Sequence, residues 1–139
     1  MSGFKTEREC AQHLGDSLEG LGFKVLYEVP FYSGNADLVA IRADTILAVE
    51  VKLRDHRRGL SQALKHLLFA DRVYVALPTD RAMGITWPKE KAFGVGLIAV
   101  GPGAEILVES DPDVPPSQQQ RGRVLAACRE RWRRQLCLT

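Results

Sequence analysis

Residues 35–52 read NADLVAIRADTILAVEVK, two apolar runs separated by a short polar turn. Each run has the composition of a buried strand, and the two runs carry charge at the same end of the expected hairpin. Asp37 lies near the start of the first run, and Glu50 and Lys52 lie at the end of the second. Because burying unpaired charge is costly, these three side chains predict a functional site at one end of a sheet.

The turn between the runs predicts the register of the hairpin. A turn centred on Ala43 and Asp44 places Asp37 opposite Glu50, and strand alternation then puts Lys52 on the same face. Directly opposed like charges destabilise a sheet, whereas Mg²⁺ binds carboxylate oxygens. The pattern predicts a Mg²⁺ site, in which Mn²⁺ would substitute, beside an anionic substrate. The alternative is a surface hairpin whose acids pair with Lys52 and a nearby arginine.

The composition is that of an ordinary globular protein. The chain has 139 residues and a net charge of +2, so one domain is expected and any nucleic-acid binding must come from local basic patches. No apolar run approaches the length of a membrane span, and the first residues lack a signal-peptide pattern. The cysteines at 10, 128 and 137 lack metal-ligand spacing, so reduced, buried thiols and a cytoplasmic location are expected.

Periodicity along the chain predicts a mixed α/β protein, with a central sheet flanked by helices and followed by a C-terminal basic helix. The expected elements of the first half are a helix over 6–21, a strand over 23–29 closed by Pro30, the acidic hairpin, a helix over 60–70 and a central strand over 72–77. The crossover that includes the second helix implies one parallel pair in an otherwise antiparallel sheet.

The second half is less regular. Segment 79–92 is polar and of uncertain form, and 94–100 with 104–109 form a second hairpin. Residues 1–110 are expected to form the core. Residues 111–139 are expected to form a proline-rich linker and a helix packed on or extending the same domain. The apolar stripe of that helix comprises Val124 or Leu125, Cys128, Trp132 and Leu136.

A helix with Glu7, then Asp37, then Glu50-Val51-Lys52, then a helix with Gln62 resembles the PD-(D/E)xK nuclease superfamily. Within it, the chain is most similar to archaeal Holliday-junction resolvases and small restriction-endonuclease-like proteins, over about residues 4–100. The resemblance implies a restriction-endonuclease-like fold, in which the hairpin acids bind Mg²⁺ and the lysine assists the attacking water. The chain departs from the family pattern at Ala36, where proline is common, and at His66, where recombination-type members have tyrosine.

The resemblance implies catalytic roles for Asp37, Glu50, Lys52, Glu7 and Gln62. The metal ligands would be Asp37, Glu50 and the Val51 carbonyl. Lys52 either has a lowered pKa or orients hydroxide and stabilises developing charge. Glu7 is either an outer-shell ligand or a first-turn acid that favours the helix dipole. One role for Gln62 is to position Lys52 or a phosphate. The alternative is a solvated polar side chain on the flank of its helix.

A basic stretch directly follows the strand that carries Lys52. Arg54, Arg57 and Arg58, with Lys65 nearby, are expected to hold a DNA backbone, and a solvated loop is the alternative. The arginines of the terminal helix are open to three interpretations: a second DNA contact, a dimer arm or a solvated face.

These observations predict a metal-dependent nuclease that hydrolyses DNA phosphodiester bonds, with junction or branched DNA among the candidate substrates. The alternative is a catalytically silent DNA-binding or assembly subunit that keeps the fold. A homodimer is left open. The sequence shows no glycine-rich phosphate loop, nucleophile elbow or zinc motif to support a small-molecule enzyme.

Overall fold

The computed structural model describes residues 3–137, with side chains as far as residue 135. Within this range a six-stranded sheet has its strands in chain order: β1 (Lys24–Phe31), β2 (Gly34–Arg42), β3 (Thr45–Val51), β4 (Arg72–Pro78), β5 (Gly96–Val100) and β6 (Ala104–Val108). The helices are α1 (Glu7–Gly20), α2 (His56–Leu64), α3 (Thr79–Met83), α4 (Lys89–Ala92) and α5 (Gln118–Cys137). A 3₁₀ turn, Lys65–Leu68, continues α2.

The sheet is mixed, as expected, but it contains two parallel pairs rather than one. Strand β3 pairs with β4, and β4 with β5, in parallel. The other three neighbouring pairs are antiparallel. The second crossover is formed by segment 79–95, which contains the short helices α3 and α4. A parallel connection needs a dozen or more residues, and this irregular segment is long enough to supply one.

Helices cover both faces of the sheet. On one face, Leu14 and Leu18 of α1 pack with Leu38 and Val49 from the acidic hairpin. The opposite face packs against α2 and α5. Burial of apolar area against a sheet is the main stabilising contribution, at roughly 25 cal/mol per Å².

Helix α2 begins earlier than its apolar periodicity predicts. Its first residue is His56 rather than Leu60, because the Asp55 side chain accepts a hydrogen bond from the Arg58 backbone amide at 3.1 Å and caps the helix. Leu68, near the end of the helix predicted over 60–70, lies in the 3₁₀ turn and is 37% exposed. Helix α1 is also capped, since the Thr6 side chain accepts a hydrogen bond from the Glu9 amide at 3.0 Å.

Strand β1 continues beyond Pro30 to Phe31, so the expected end of this strand is wrong. As an edge strand, β1 has one side without a neighbouring strand and tolerates a proline that lacks an amide donor. The extension includes Glu28, whose φ of 51° lies in the left-handed region. The strand is therefore locally irregular at Glu28.

Helix α5 packs back on the sheet. Val124, Leu125 and Cys128 are buried in the core on the α2 side, while the side chain of Leu136 lies outside the described residues. The thiols of Cys10 and Cys128 are buried and free, and that of Cys137 also lies outside the described part. Among residues 3–137, no helix has the length and apolar character needed to span a membrane.

Candidate metal and phosphate site

The register predicted for the acidic hairpin is confirmed over its paired residues. Leu38 lies opposite Val49, and Ile41 opposite Ile46. Asp37 continues β2 beyond the last pair, and its Oδ2 accepts a hydrogen bond from the Val51 backbone amide at 2.9 Å. This bond fixes the Asp37 carboxyl group at the open end of the hairpin, beside Glu50.

Glu50 is almost completely buried on the face covered by α2. It is 3% exposed, and its Oε1 lies 2.5 Å from Nε2 of His66, which is 1% exposed. The imidazole of His66 contacts the Phe31 ring edge-on, with centroids 5.0 Å apart, and lies 5.8 Å from the Phe69 ring. An apolar enclosure therefore holds a carboxyl group and an imidazole in direct contact.

Burial and mutual repulsion keep the two acids from ionising together. Burial, then a hydrogen bond and charge repulsion from Glu50, raise the pKa of Asp37 to about 7. Burial raises the pKa of Glu50, while contact with Asp37 and the Lys52 ammonium favour its ionised form. Burial lowers the pKa of His66 to about 4, so the ring is neutral at neutral pH, and with its proton on Nε2 it donates to the Glu50 carboxylate.

A small polar cavity of about 190 Å³ connects half of the residues predicted for the site. Its lining includes Asp37, Glu50, Lys52, Gln62 and Lys65. These residues place two acids, two ammonium-bearing side chains and an amide around the cavity.

Two buried polar atoms beside this cavity have no hydrogen-bond partner among the described residues. They are Oε1 of Gln62 and Nδ1 of His66, and both residues contribute to the lining. Leaving such an atom unsatisfied costs about 1–3 kcal/mol. This cost makes the α2 side of the cavity a place where a bound polar group would be favourable.

Glu7 and Val51 lie on the other side of Asp37. They line a separate cavity of about 370 Å³ beneath α1, together with Glu28 and Asp37 itself. Asp37 is thus shared by both cavities. Glu7 is exposed in the first turn of α1, so neither its outer-shell role nor the helix-dipole alternative is excluded.

Lys52 is held by its backbone and by its aliphatic stem. Its amide donates to the Ala76 carbonyl of β4 at 3.0 Å. A Cβ atom added at Gly59 would lie 3.0 Å from Cγ of Lys52. The absence of a side chain at Gly59 therefore allows the first turns of α2 to pack closely over Lys52.

The expected basic stretch adjoins this point. Arg54, Arg57 and Arg58 are exposed and lie outside the cavity lining, whereas Lys65 is part of it. Arg57 and Arg58 belong to the first turn of α2 rather than to a loop. Arg81 joins them, because its Nε donates to the Arg54 carbonyl at 3.0 Å.

Three residues near the site are not predicted by the sequence. His66, which the sequence marks only as a departure from the family pattern, contacts Glu50. Glu28 lines the cavity beneath α1, and Arg81 extends the basic stretch. The signal for His66 was its spacing of one helical turn from Gln62. The signal for Glu28 was a strand β1 that extends past Pro30, since its register places Glu28 across from Asp37.

The donor set is compatible with a hard divalent cation. Within residues 3–137, no group of three or more His, Cys, Asp or Glu side chains is gathered closely enough to hold a metal. Mg²⁺ is usually bound through one or two carboxylates and keeps several waters, so Asp37 and Glu50 meet this requirement. Each has one oxygen engaged by a protein donor, Val51 N–H or the His66 ring, and the two acids also share a hydrogen bond, whose proton a cation would replace.

Comparison with known proteins adds information about the fold alone. No protein-family model and no curated protein matches the chain. Among solved structures, the SPO1766 protein of Silicibacter pomeroyi, a protein of unknown function, is similar with a TM-score of 0.72 and 18% sequence identity. The match covers 94% of this chain and 89% of that one. The two proteins therefore share a mixed α/β fold.

Proposed function

We propose that this protein is a Mg²⁺-dependent nuclease that hydrolyses DNA phosphodiester bonds on a restriction-endonuclease-like fold. The observation that supports this most strongly is that Asp37, Glu50 and Lys52 line one cavity at a sheet end. Two acids with raised pKa values beside an ammonium group are costly for a fold to keep. A cation and an anionic substrate would relieve that cost, and a phosphodiester with Mg²⁺ meets both requirements.

The chemistry follows from the groups in the cavity. Mg²⁺ held by Asp37 and Glu50 would supply an activated water and stabilise charge on the phosphoryl oxygens. The Lys52 ammonium would orient that water or stabilise the same charge. The water oxygen would form a bond to phosphorus and release a proton to solvent, the bond to the leaving oxygen would break, and the leaving oxygen would take a proton from solvent.

Binding of the DNA backbone is assigned to the basic residues beside the cavity. Arg54, Arg57 and Arg58 are exposed and lie three to seven residues beyond the end of β3, and the exposed Lys65 lines the cavity itself. Arg81 contacts the same segment. Guanidinium groups bind phosphate without reading base sequence, so this surface would favour the structure of the DNA over its sequence.

A silent DNA-binding or assembly subunit is the second candidate, and one contact favours it. The hydrogen bond between His66 and Glu50 would also stabilise Glu50 as part of a closed core without any metal. In that case Asp37 and Lys52 would be structural partners of Glu50. The two candidates differ in whether divalent metal supports cleavage.

The test is a cleavage screen over branched, duplex and single-stranded DNA, with Mg²⁺, Mn²⁺ or EDTA. The wild type should cut at least one substrate when metal is present, and Asp37→Asn should not. Asp44→Asn is the matched control, because it makes the same change in the exposed turn of the same hairpin and should cut like the wild type. If no substrate is cut but DNA is bound, the silent-subunit candidate is correct.

A further inference from the structure

The contact between His66 and Glu50 is unusual because of where it occurs. Both residues are at least 97% buried, and the Nε2 atom of His66 lies 2.5 Å from Oε1 of Glu50. His66 is surrounded by aromatic rings, those of Phe31 and Phe69. A phenylalanine at this position would make the same kind of ring contacts without any polar atom.

A purely packing role does not explain a histidine here. Nδ1 of His66 has no hydrogen-bond partner among the described residues, so the ring carries the cost of a buried polar atom. The ring makes one hydrogen bond, between its Nε2 atom and Oε1 of Glu50. Its function is therefore to be sought in what that bond does to Glu50.

The bond restricts the orientation of the Glu50 carboxyl group. Oε1 is turned toward the 3₁₀ turn that carries His66, and the carboxyl group remains within reach of Asp37 and of the Lys52 charge. A carboxylate held through one oxygen offers the other in a fixed direction. Protein partners that orient a metal ligand in this way typically contribute about 10–100-fold to metal affinity.

We propose that His66 is a positioning residue, whose hydrogen bond holds Glu50 so that the second carboxylate oxygen binds the divalent cation together with Asp37. This inference rests on the proposed function, since it assigns a role within the same site. It makes Glu50 a one-oxygen ligand.

The test compares His66→Gln with His66→Met by calorimetry with Mn²⁺. The two side chains are nearly equal in length and shape, and both lack the ring, but only glutamine has a donor, at the same number of bonds from Cβ as Nε2 of histidine. We expect His66→Met to bind Mn²⁺ about 10–100-fold more weakly than His66→Gln. His66→Gln should bind close to wild type.

The outcomes separate this inference from the proposed function. Equal Mn²⁺ affinity in the two variants, with a wild type that binds Mn²⁺, would overturn the role of His66 and leave the metal site intact. A wild type that binds no Mn²⁺ would overturn both. If His66→Met does not fold, as judged by its melting curve, His66→Phe takes its place, because it keeps the contacts with Phe31 and Phe69 and also lacks the donor.

Discussion

Asp37 is a carboxyl group that the fold keeps partly protonated near neutral pH. Its pKa is raised from 3.8 to about 7, first by burial and then by Glu50. Between those two pH values the folded state binds more protons at Asp37 than the unfolded state does. The contribution of Asp37 to the free energy of unfolding therefore falls as pH rises through this window.

The ionisation of His66 changes the free energy of unfolding with pH in the opposite direction. Its pKa is lowered from 6.5 to about 4 by burial, so the unfolded state binds more protons there, and its contribution to stability is lost as pH falls from about 6.5 toward 4. The two effects overlap in pH. A pH profile of the wild type alone would therefore not separate them.

The difference in stability between wild type and Asp37→Asn isolates the contribution of the Asp37 carboxyl group. The variant keeps an oxygen that can accept the Val51 amide but cannot ionise. In EDTA, we expect urea denaturation to show the stability of the wild type relative to Asp37→Asn falling steadily from about pH 4 to pH 7. A relative stability that is flat over this range would contradict the raised pKa of Asp37.

The sequence was sufficient to predict the pairing of the acids but not their environment. The turn at 43–44 and strict alternation determine the register, and the structure has that register. The contact of Glu50 with His66 depends instead on where α2 begins and on a 3₁₀ turn at its end. The Asp55 cap is a local signal for the start of the helix, but the packing that brings His66 onto Glu50 is tertiary, and the apolar periodicity does not encode it.

Helix α2 illustrates why element boundaries were harder to predict. Its apolar periodicity starts at Leu60, but the cap at Asp55 and a basic first turn extend it toward the strand that carries Lys52. Segment 79–92 gave no periodic signal because each of its helices is about one turn long. The second parallel crossover was missed for that reason.

Arg131 of helix α5 contacts the site region. Arg131 donates from Nη1 to the Tyr27 carbonyl at 2.5 Å and from Nη2 to the Glu28 carbonyl at 3.1 Å. Glu28 is the residue with positive φ that lies across from Asp37. The terminal helix therefore stabilises the irregular part of β1 that borders the acids.

Replacing Arg131 with methionine keeps most of the aliphatic stem and removes both hydrogen bonds. We expect the free energy of unfolding to fall by about 1.5–3 kcal/mol, because the charged donor is removed and two carbonyls are left without their partner. Urea denaturation measures this change. Arg129→Met changes an exposed position on the same helix and is the control. Equal stability of the two variants would argue against a stabilising role for the hydrogen bonds of Arg131.

Across the whole molecule, the two sides of the hairpin end differ in charge. The cavity beneath α1 is lined by Glu7, Glu28 and Asp37 with one cation, Arg8, whereas Lys52 and Lys65 balance the two acids of the cavity beneath α2. A polyanion would be repelled more strongly from the first cavity than from the second. The proposed DNA path therefore lies on the α2 side, over the arginines that begin that helix.

Neutralising Arg54, Arg57 and Arg58 together as glutamines tests this path. If all three bind phosphates, the slope of log K against log salt for duplex DNA should become shallower by about 0.9 for each phosphate that is no longer neutralised. Fluorescence anisotropy at several salt concentrations measures the slope.

The matched control neutralises three exposed arginines of α5, Arg123, Arg129 and Arg134. It should leave the slope close to that of the wild type. A reversed result, with the slope changed only by the α5 variant, would place the DNA on the terminal helix.

The most direct test of the account is single-turnover cleavage by Lys52→Met, on a substrate that the wild type cuts with Mg²⁺. Methionine keeps the stem that packs against Gly59 and removes the ammonium. We predict a cleavage rate about 10²–10³-fold below that of the wild type, with DNA affinity nearly unchanged and Lys91→Met cutting normally. A Lys52→Met variant that cuts at the wild-type rate would contradict hydrolysis at this site.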